Sequence, residues 1–204
     1  ACTAQVSEGL VVTTNSEKVR NARRNILDML LSNHKTDCFS CPSNGDCKLQ
    51  ELCFEYGIER TTYSGEQTEL PIDDSNKFFT YNPNLCILCH RCVNTCHKIV
   101  GRGAIDTMER GFDSAIGTPF HVDWIDTTCE SCGNCVQACP TGALTMKRRK
   151  NYRKYQIDKK VLTTCPHCAT GCQYYLVVKD NKIVDVEAAN GASNKGLLCV
   201  KGRS

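Results

Sequence analysis

Cys86-Ile87-Leu88-Cys89-His90-Arg91-Cys92-Val93-Asn94-Thr95-Cys96 is echoed by Cys129-Glu130-Ser131-Cys132-Gly133-Asn134-Cys135-Val136-Gln137-Ala138-Cys139-Pro140. Both runs space cysteine as C-x2-C-x2-C-x3-C, the second at an offset of 43 residues (86 to 129). A loop that offers thiolates at i, i+3 and i+6 wraps three corners of an iron–sulfur cubane, and the fourth corner comes from elsewhere. Structural zinc takes paired hooks from two hairpins and has no use for this arrangement twice over. A disulfide scaffold expects an oxidising compartment and an even cysteine count. This chain has 17 cysteines in 204 residues, tightly grouped, and Ala1 to Leu10 lacks a basic start followed by an apolar stretch. Iron–sulfur chemistry in a cytoplasmic protein is the expectation.

Working outward, 41% of the residues are hydrophobic when cysteine is counted, and about a third when it is not. That is thin for one large core and favours small modules held by something besides packing. The expected fold class is α+β, made of several small cluster-stabilised modules. No apolar run approaches the roughly 18 to 20 residues a spanning helix needs. A formal charge of +3 makes no case for nucleic acid.

Residues 1–14 read as a short β element through Leu10, Val11 and Val12. Thr14 and Glu17 have capping-box spacing, followed by a helix of about 16 residues. Val19, Ala22, Ile26, Met29 and Leu30 form its apolar stripe, opposite Arg20, Arg23, Arg24 and Asp28, and it ends near Ser32 to His34. His34 to Cys53 reads as a tight loop with Pro42, Asn44 and Gly45 as turn residues. Residues 60–81 are a polar connection, and 82–146 hold the repeat. Residues 147–160 form a basic linker with eight Lys or Arg, a solvated surface or a docking face for an acidic partner. In 161–204, Tyr174–Val178 and Ile183–Val186 read as a β-hairpin around Asp180 and Asn181. The expected modules are 1–14, 15–81, 82–146, 147–160 and 161–204.

The repeat resembles bacterial-type two-cluster ferredoxins over roughly 82–146, closely so at Cys139-Pro140-Thr141-Gly142-Ala143-Leu144. In that family the fourth cysteine of each run ligates the cluster held mainly by the other run. The resemblance therefore implies one 4Fe-4S cluster on Cys86, Cys89, Cys92 and Cys139, and a second on Cys129, Cys132, Cys135 and Cys96. His97 stands where the first run often carries proline; proline there shapes the loop exit and binds no iron.

His34, Cys38, Cys41 and Cys47 have the spacing H-x3-C-x2-C-x5-C. Three thiols need a fourth ligand, and imidazole is a competent one for iron. The pattern resembles the histidine-ligated 4Fe-4S module of iron-only hydrogenases and of the large peripheral subunit of respiratory NADH dehydrogenase. There it follows a plant-type 2Fe-2S domain whose last cysteine lies shortly before the helix. Cys2 matches that cysteine, which implies a partial 2Fe-2S site and a chain that begins inside the domain, as a fragment. Cys53 belongs to no group and reads as a small buried hydrophobe.

Cys165, Cys168, Cys172 and Cys199 follow C-x2-C-x3-C, then a gap, then C-V-K-G-R. A four-cysteine zinc site is one reading. The spacing resembles the N-terminal 4Fe-4S domain of molybdenum or tungsten bis-pterin oxidoreductases, most closely formate dehydrogenases. That implies an electron-relay or cofactor-binding place for Lys201, and a bis-pterin guanine dinucleotide site in a domain beyond Ser204, with no catalytic residue in this chain. The module order resembles the catalytic subunit of NAD-linked formate dehydrogenases. It implies a linear series of one-electron carriers linking a molybdenum or tungsten site to a flavin- and NAD-binding iron–sulfur subunit, with ferredoxin as a further partner. Two alternatives stand beside it: a non-catalytic carrier subunit of a hydrogenase or bifurcating complex, and a zinc scaffold.

Overall fold

A computed structural model describes residues 4–148 and 152–203. Cys2, expected as a 2Fe-2S ligand, and residues 149–151 of the basic run lie outside the described residues. The β element expected over 1–14 is absent from its described part, where Val11 and Val12 are 88% and 68% exposed. A strand needs a ladder partner for its backbone groups, and no described strand pairs with this one.

Helix α1 spans Glu17–Ser32, the expected 16 residues. Its cap is Ser16, whose hydroxyl accepts from Val19 N, and not Thr14. The packing face also differs from the expected stripe: Leu27 and Leu31 are buried, whereas Ile26 and Met29 are each 52% exposed. Tertiary contact chose the face, because Leu27 and Leu31 meet Leu49 and Cys53 of helix α2 (Lys48–Glu55). That helix occupies the end of the segment expected to be loop. Cys53 is buried there, as expected of a small hydrophobe.

The central module is closed by strands β1 (Phe79–Tyr81) and β4 (Leu144–Met146), antiparallel with Tyr81 opposite Leu144. Between them β2 (Asp106–Met108) and β3 (Ala115–Gly117) form a small hairpin that joins the two cysteine runs. Each run delivers a short helix: α3 (Arg91–Asn94), which widens into a π turn over Thr95–Val100, and α4 (Asn134–Ala138). Phe79, Tyr81, Ile105, Ile116, Trp124 and Leu144 form the core beneath them. Trp124 meets Phe79 edge-on at 5.1 Å and Tyr81 at 5.5 Å. Aromatic pairs of this kind contribute about 0.5–1.5 kcal/mol beyond their burial.

The last module is a three-stranded antiparallel sheet, β5 (Lys159–Thr164), β6 (Gln173–Lys179) and β7 (Lys182–Ala188). The β6–β7 hairpin turns at Asp180 and Asn181 with φ of 50° and 57°, the signature of a type I′ turn. Strand β5 carries no expectation from the sequence: it straddles the expected boundary at 160/161, and its side chains are largely exposed while its backbone pairs with β6. Helix α5 (Val200–Arg203) ends the described chain. The basic segment is largely engaged within the chain: Lys147 pairs with Asp74, Lys154 with Asp46, and Lys160 with Glu187.

Candidate iron–sulfur sites

The two cysteine runs share a backbone as well as a spacing. Leu88 and Ser131 have φ of 52° and 55°, and His90 and Gly133 have φ of 56° and 72°, each pair separated by the same 43 residues. A left-handed residue that is not glycine costs roughly 1–2 kcal/mol, so the conformation needs a return. It turns amide N–H groups toward sulfur: Leu88 N lies 3.4 Å from Cys86 Sγ, and Ser131 N lies 3.4 Å from Cys129 Sγ. Ala104 N lies 3.4 Å from Cys96 Sγ. Amides curled around sulfur in this way form an anion-holding nest.

The electrostatics sort the thiols into groups. Burial pushes the Cys92 thiol up to about 12, helped by the charges of Cys86, Cys139 and Cys89. Burial also raises Cys135, helped by the charges of Cys132, Cys129, Cys92 and Cys96. Cys139 therefore lies with the first run and Cys96 with the second. A small cleft of about 20 Å³, partly open to solvent, is lined by Cys96, Cys129, Cys132 and Cys135 together with Ile105 and Trp124. Burial raises Cys172, followed by the charges of Cys168, Cys165 and Cys199. Grouped thiols that each oppose their neighbours' ionisation call for a cation to stabilise the thiolates. All described cysteines are free. Among the described residues no three His, Cys, Asp or Glu side chains converge on a point, as a lone ion requires. A cubane takes each thiolate on a different iron, and groups of free thiols that raise one another's pKa supply the donor chemistry it uses.

His34 is 7% exposed, and its Nδ1 has no hydrogen-bond partner. Burial lowers its pKa and keeps the ring neutral, the form a metal ligand must have. The thiols of Cys38, Cys41 and Cys47 influence one another. Burial raises Cys47, and the Gln50 and Leu49 amides at the start of α2 oppose it.

In the last module Cys165 and Cys172 close the β5–β6 connection through a Cys165 N–Cys172 O bond of 2.8 Å. Buried Asn194 brings Cys199 to them: its amide donates to the carbonyls of Gln173, Ala189 and Leu197, and its Oδ1 accepts from Gln173 N. Lys201 is exposed on α5, and its charge helps lower Cys168, after the hydrogen bonds from Thr170.

Several functional neighbours were not visible in sequence. The buried Tyr81 hydroxyl faces the Cys86 thiol, with Cys92 and Cys139 nearby. Gly142 carries the second run against Cys41, where a Cβ would lie 2.7 Å from Sγ. His97 ties the exit of the first run to β2, its Nε2 lying 2.8 Å from Ile105 O. Arg203 reaches from α5 to the carbonyl of Cys132. The sequence marks His97 only as a departure from proline, and the others depend on distant partners.

Segments of the chain match four family models. Residues 23–62 match the NADH-ubiquinone oxidoreductase-G iron–sulfur binding region, and 77–145 the ferredoxin-like domain of NADH-quinone oxidoreductase subunit 3. Residues 128–175 match a 4Fe-4S dicluster domain, and 158–204 the Fe4S4 domain of molybdopterin oxidoreductases. The chain is similar to the iron–sulfur region of G-type NADH-quinone oxidoreductases and molybdopterin oxidoreductases. Over its whole length it is 37% identical to the alpha subunit of an NADPH-Fe(3+) oxidoreductase of Geobacter sulfurreducens, covering 24% of that protein. It is 28% identical, also over its whole length, to a putative formate dehydrogenase of Staphylococcus aureus, covering 25% of that protein. The crystal structure of an NAD+-reducing [NiFe]-hydrogenase in the H2-reduced state aligns with a TM-score of 0.66 at 30% identity, over 72% of this chain and 62% of that one. The chain spans about a quarter of the length of the curated relatives it matches. It is an iron–sulfur electron-transfer region of the kind these oxidoreductases carry, and no helix among the described residues is long and apolar enough to cross a membrane.

Proposed function

We propose that this chain holds four 4Fe-4S clusters in the electron-transfer region of a formate dehydrogenase-type oxidoreductase. It would connect a molybdenum or tungsten bis-pterin site with a flavin- and NAD-binding partner subunit. The observation that carries the reading is that each thiol group neighbours the next along the series, through a shared residue or through its charge. Cys41 meets Gly142, three residues beyond Cys139 in sequence. Cys92 influences Cys135, and Arg203 is influenced by Cys132, Cys135 and Cys199 together. Backbone bonds from Lys35 N to Asn84 O at 3.2 Å, and from Lys48 N to Pro140 O at 2.9 Å, fix the first of these junctions.

The ligand sets follow the groups above: His34, Cys38, Cys41 and Cys47; Cys86, Cys89, Cys92 and Cys139; Cys129, Cys132, Cys135 and Cys96; Cys165, Cys168, Cys172 and Cys199. A cluster, when bound, supplies a one-electron couple at each. The thiols ionise on binding, the neutral His34 ring donates its lone pair, and the left-handed residues aim their amides at the ligand sulfurs. The formate reading is supported by the spacing of the Cys165 group, the molybdopterin-type match over 158–204 and the putative formate dehydrogenase relative. A second reading, a carrier subunit of a hydrogenase complex, is favoured by the likeness to the [NiFe]-hydrogenase structure. Iron and acid-labile sulfide near 16 of each per chain are expected for four cubanes, and zinc without sulfide would overturn the cluster reading. In the holo-protein, cluster reduction by formate supports the first reading and reduction by hydrogen alone supports the second.

A further inference from the structure

Arg203 closes α5, the short helix that starts directly after Cys199, yet its side chain serves another module. Nε donates to the Cys132 carbonyl at 3.0 Å, and Nη2 donates to Asn134 Oδ1 at 2.7 Å and to Gln137 Oε1 at 2.6 Å. Gly133 leaves the space for it: a Cβ there would lie 2.9 Å from Arg203 Cδ and 3.2 Å from Nε. The same seam carries Leu198 N to Asn134 Oδ1 at 3.3 Å and Gln137 Nε2 to Gly196 O at 3.0 Å. Asn134 is itself buried and accepts from both Arg203 and Leu198.

Every one of these acceptors on Arg203 is neutral. A largely buried guanidinium needs negative charge as well as hydrogen bonds, and it remains a cation in any protein environment. The opposing charge comes from the Cys132, Cys135 and Cys199 thiols and from the Asp185 carboxylate, which also accepts from Tyr152. Burial alone would lower the Arg203 pKa, and these charges hold it up. The cation thus stands between two thiol groups that belong to different modules.

We propose that Arg203 is a positioning residue that couples the Cys129 and Cys165 groups, locking the two modules together and raising the reduction potential of the cluster held by Cys96, Cys129, Cys132 and Cys135. This rests on the cluster reading above. A fixed positive charge stabilises the more negative reduced cluster, and charge and hydrogen bonding around the sulfurs are the protein's means of setting potential. Exchange between the two sites is a single-electron step: one is oxidised as the other is reduced, no bond forms or breaks and no proton moves. Its equilibrium depends only on the difference of the two potentials. The guanidinium bonds to the Cys132 loop directly and meets Cys199 only through space, so it biases the electron toward the Cys129 side.

The test is a potentiometric titration of the holo-protein followed by electron paramagnetic resonance, with iron and sulfide assayed in every sample. Arg203→Gln keeps hydrogen-bonding capacity and removes the charge. It is expected to lower the potential of one of the four centres by an amount worth about a tenfold change in electron distribution, about 59 mV for one electron, and to leave the His34 centre unmoved. Arg203→Lys keeps the charge and loses the fork, so it should restore most of that potential. Should Arg203→Gln lose iron, Arg203→Met, neutral and of similar length, decides by the same measure, with a shift of the same sign and size expected. Potentials unchanged in an iron-replete Arg203→Gln protein, or in an iron-replete Arg203→Met protein where the glutamine variant loses iron, would overturn the coupling and leave the cluster reading standing. Wild-type protein without iron and sulfide would remove the cluster reading itself.

Discussion

Replacing Gly142 with alanine tests the junction between the His34 group and the repeat. Gly142 is buried, and its φ lies outside the left-handed region, so an alanine backbone fits there. The added methyl would stand 2.7 Å from Cys41 Sγ, 3.3 Å from Leu85 Cδ1 and 3.5 Å from Ser43 Oγ. Overpacking of this kind costs about 1–3 kcal/mol, and the loss of glycine's freedom in the unfolded chain returns about 0.4–1 kcal/mol. The net loss is about 1–2 kcal/mol, or about 2–8 °C in the unfolding midpoint of a chain this size. The nearest atom decides where the damage falls. With the thiol held on iron, Cys41 cannot swing away, so the drop should be larger in the iron-loaded protein than after iron removal. The resonance of the His34 centre should change while the Cys165 centre keeps its spectrum. Midpoints compared with and without iron, alongside the spectra, make the check. An unaltered midpoint and His34 spectrum would refute the contact, and an equal change at all centres would refute its locality.

Tyr81→Phe removes only the buried hydroxyl that faces Cys86, with Cys92 and Cys139 nearby. If that hydroxyl donates to cluster sulfur, at about 1 kcal/mol, the potential of that centre falls by about 40 mV, and a titration curve that does not move rules the bond out. His34→Cys should keep a cluster but lower its potential, because a thiolate replaces a neutral ligand; an identical resonance spectrum would show that His34 is not a ligand. Asn194→Ala takes the side-chain donor from the Leu197 carbonyl and the side-chain acceptor from Gln173 N, at about 1–3 kcal/mol for each buried group left unpaired, while the Gln173 and Ala189 carbonyls keep backbone donors. Iron content per chain should drop by one cluster, and full iron retention would contradict the role given to Asn194.

The thiol groups were legible in sequence because each motif is local: Cys86 to Cys96 and Cys129 to Cys139 place their sulfurs through a few backbone angles. The type I′ hairpin at Asp180 and Asn181 was legible for the same reason. What failed to show needed a partner elsewhere. Thr14 has capping-box spacing to Glu17, but the hydroxyl that reaches Val19 N is that of Ser16. Ile26 and Met29 fit an apolar stripe, but helix α2 selected Leu27 and Leu31. Strand β5 begins in the expected linker, at Lys159 and Lys160, and runs on through Thr164, and its ladder with β6 is what makes it a strand. Arg203, Tyr81 and Gly142 carry no signal of their own, since each matters through a residue far away in the chain.

With the ligand sets proposed above, in which Cys96 and Cys139 each complete the other run's group, cluster loading would follow an order of assembly. While the chain grows from its N-terminus, the first run presents Cys86, Cys89 and Cys92 long before Cys139 exists to complete their set. A nascent chain therefore holds incomplete sets of exposed thiols until the second run emerges, and then both can close together. Premature iron or oxidation in that interval would trap a three-thiol intermediate. The repeat must mature as one unit, and a proteolytic cut in the β2–β3 hairpin would leave two halves, neither with a full set of four.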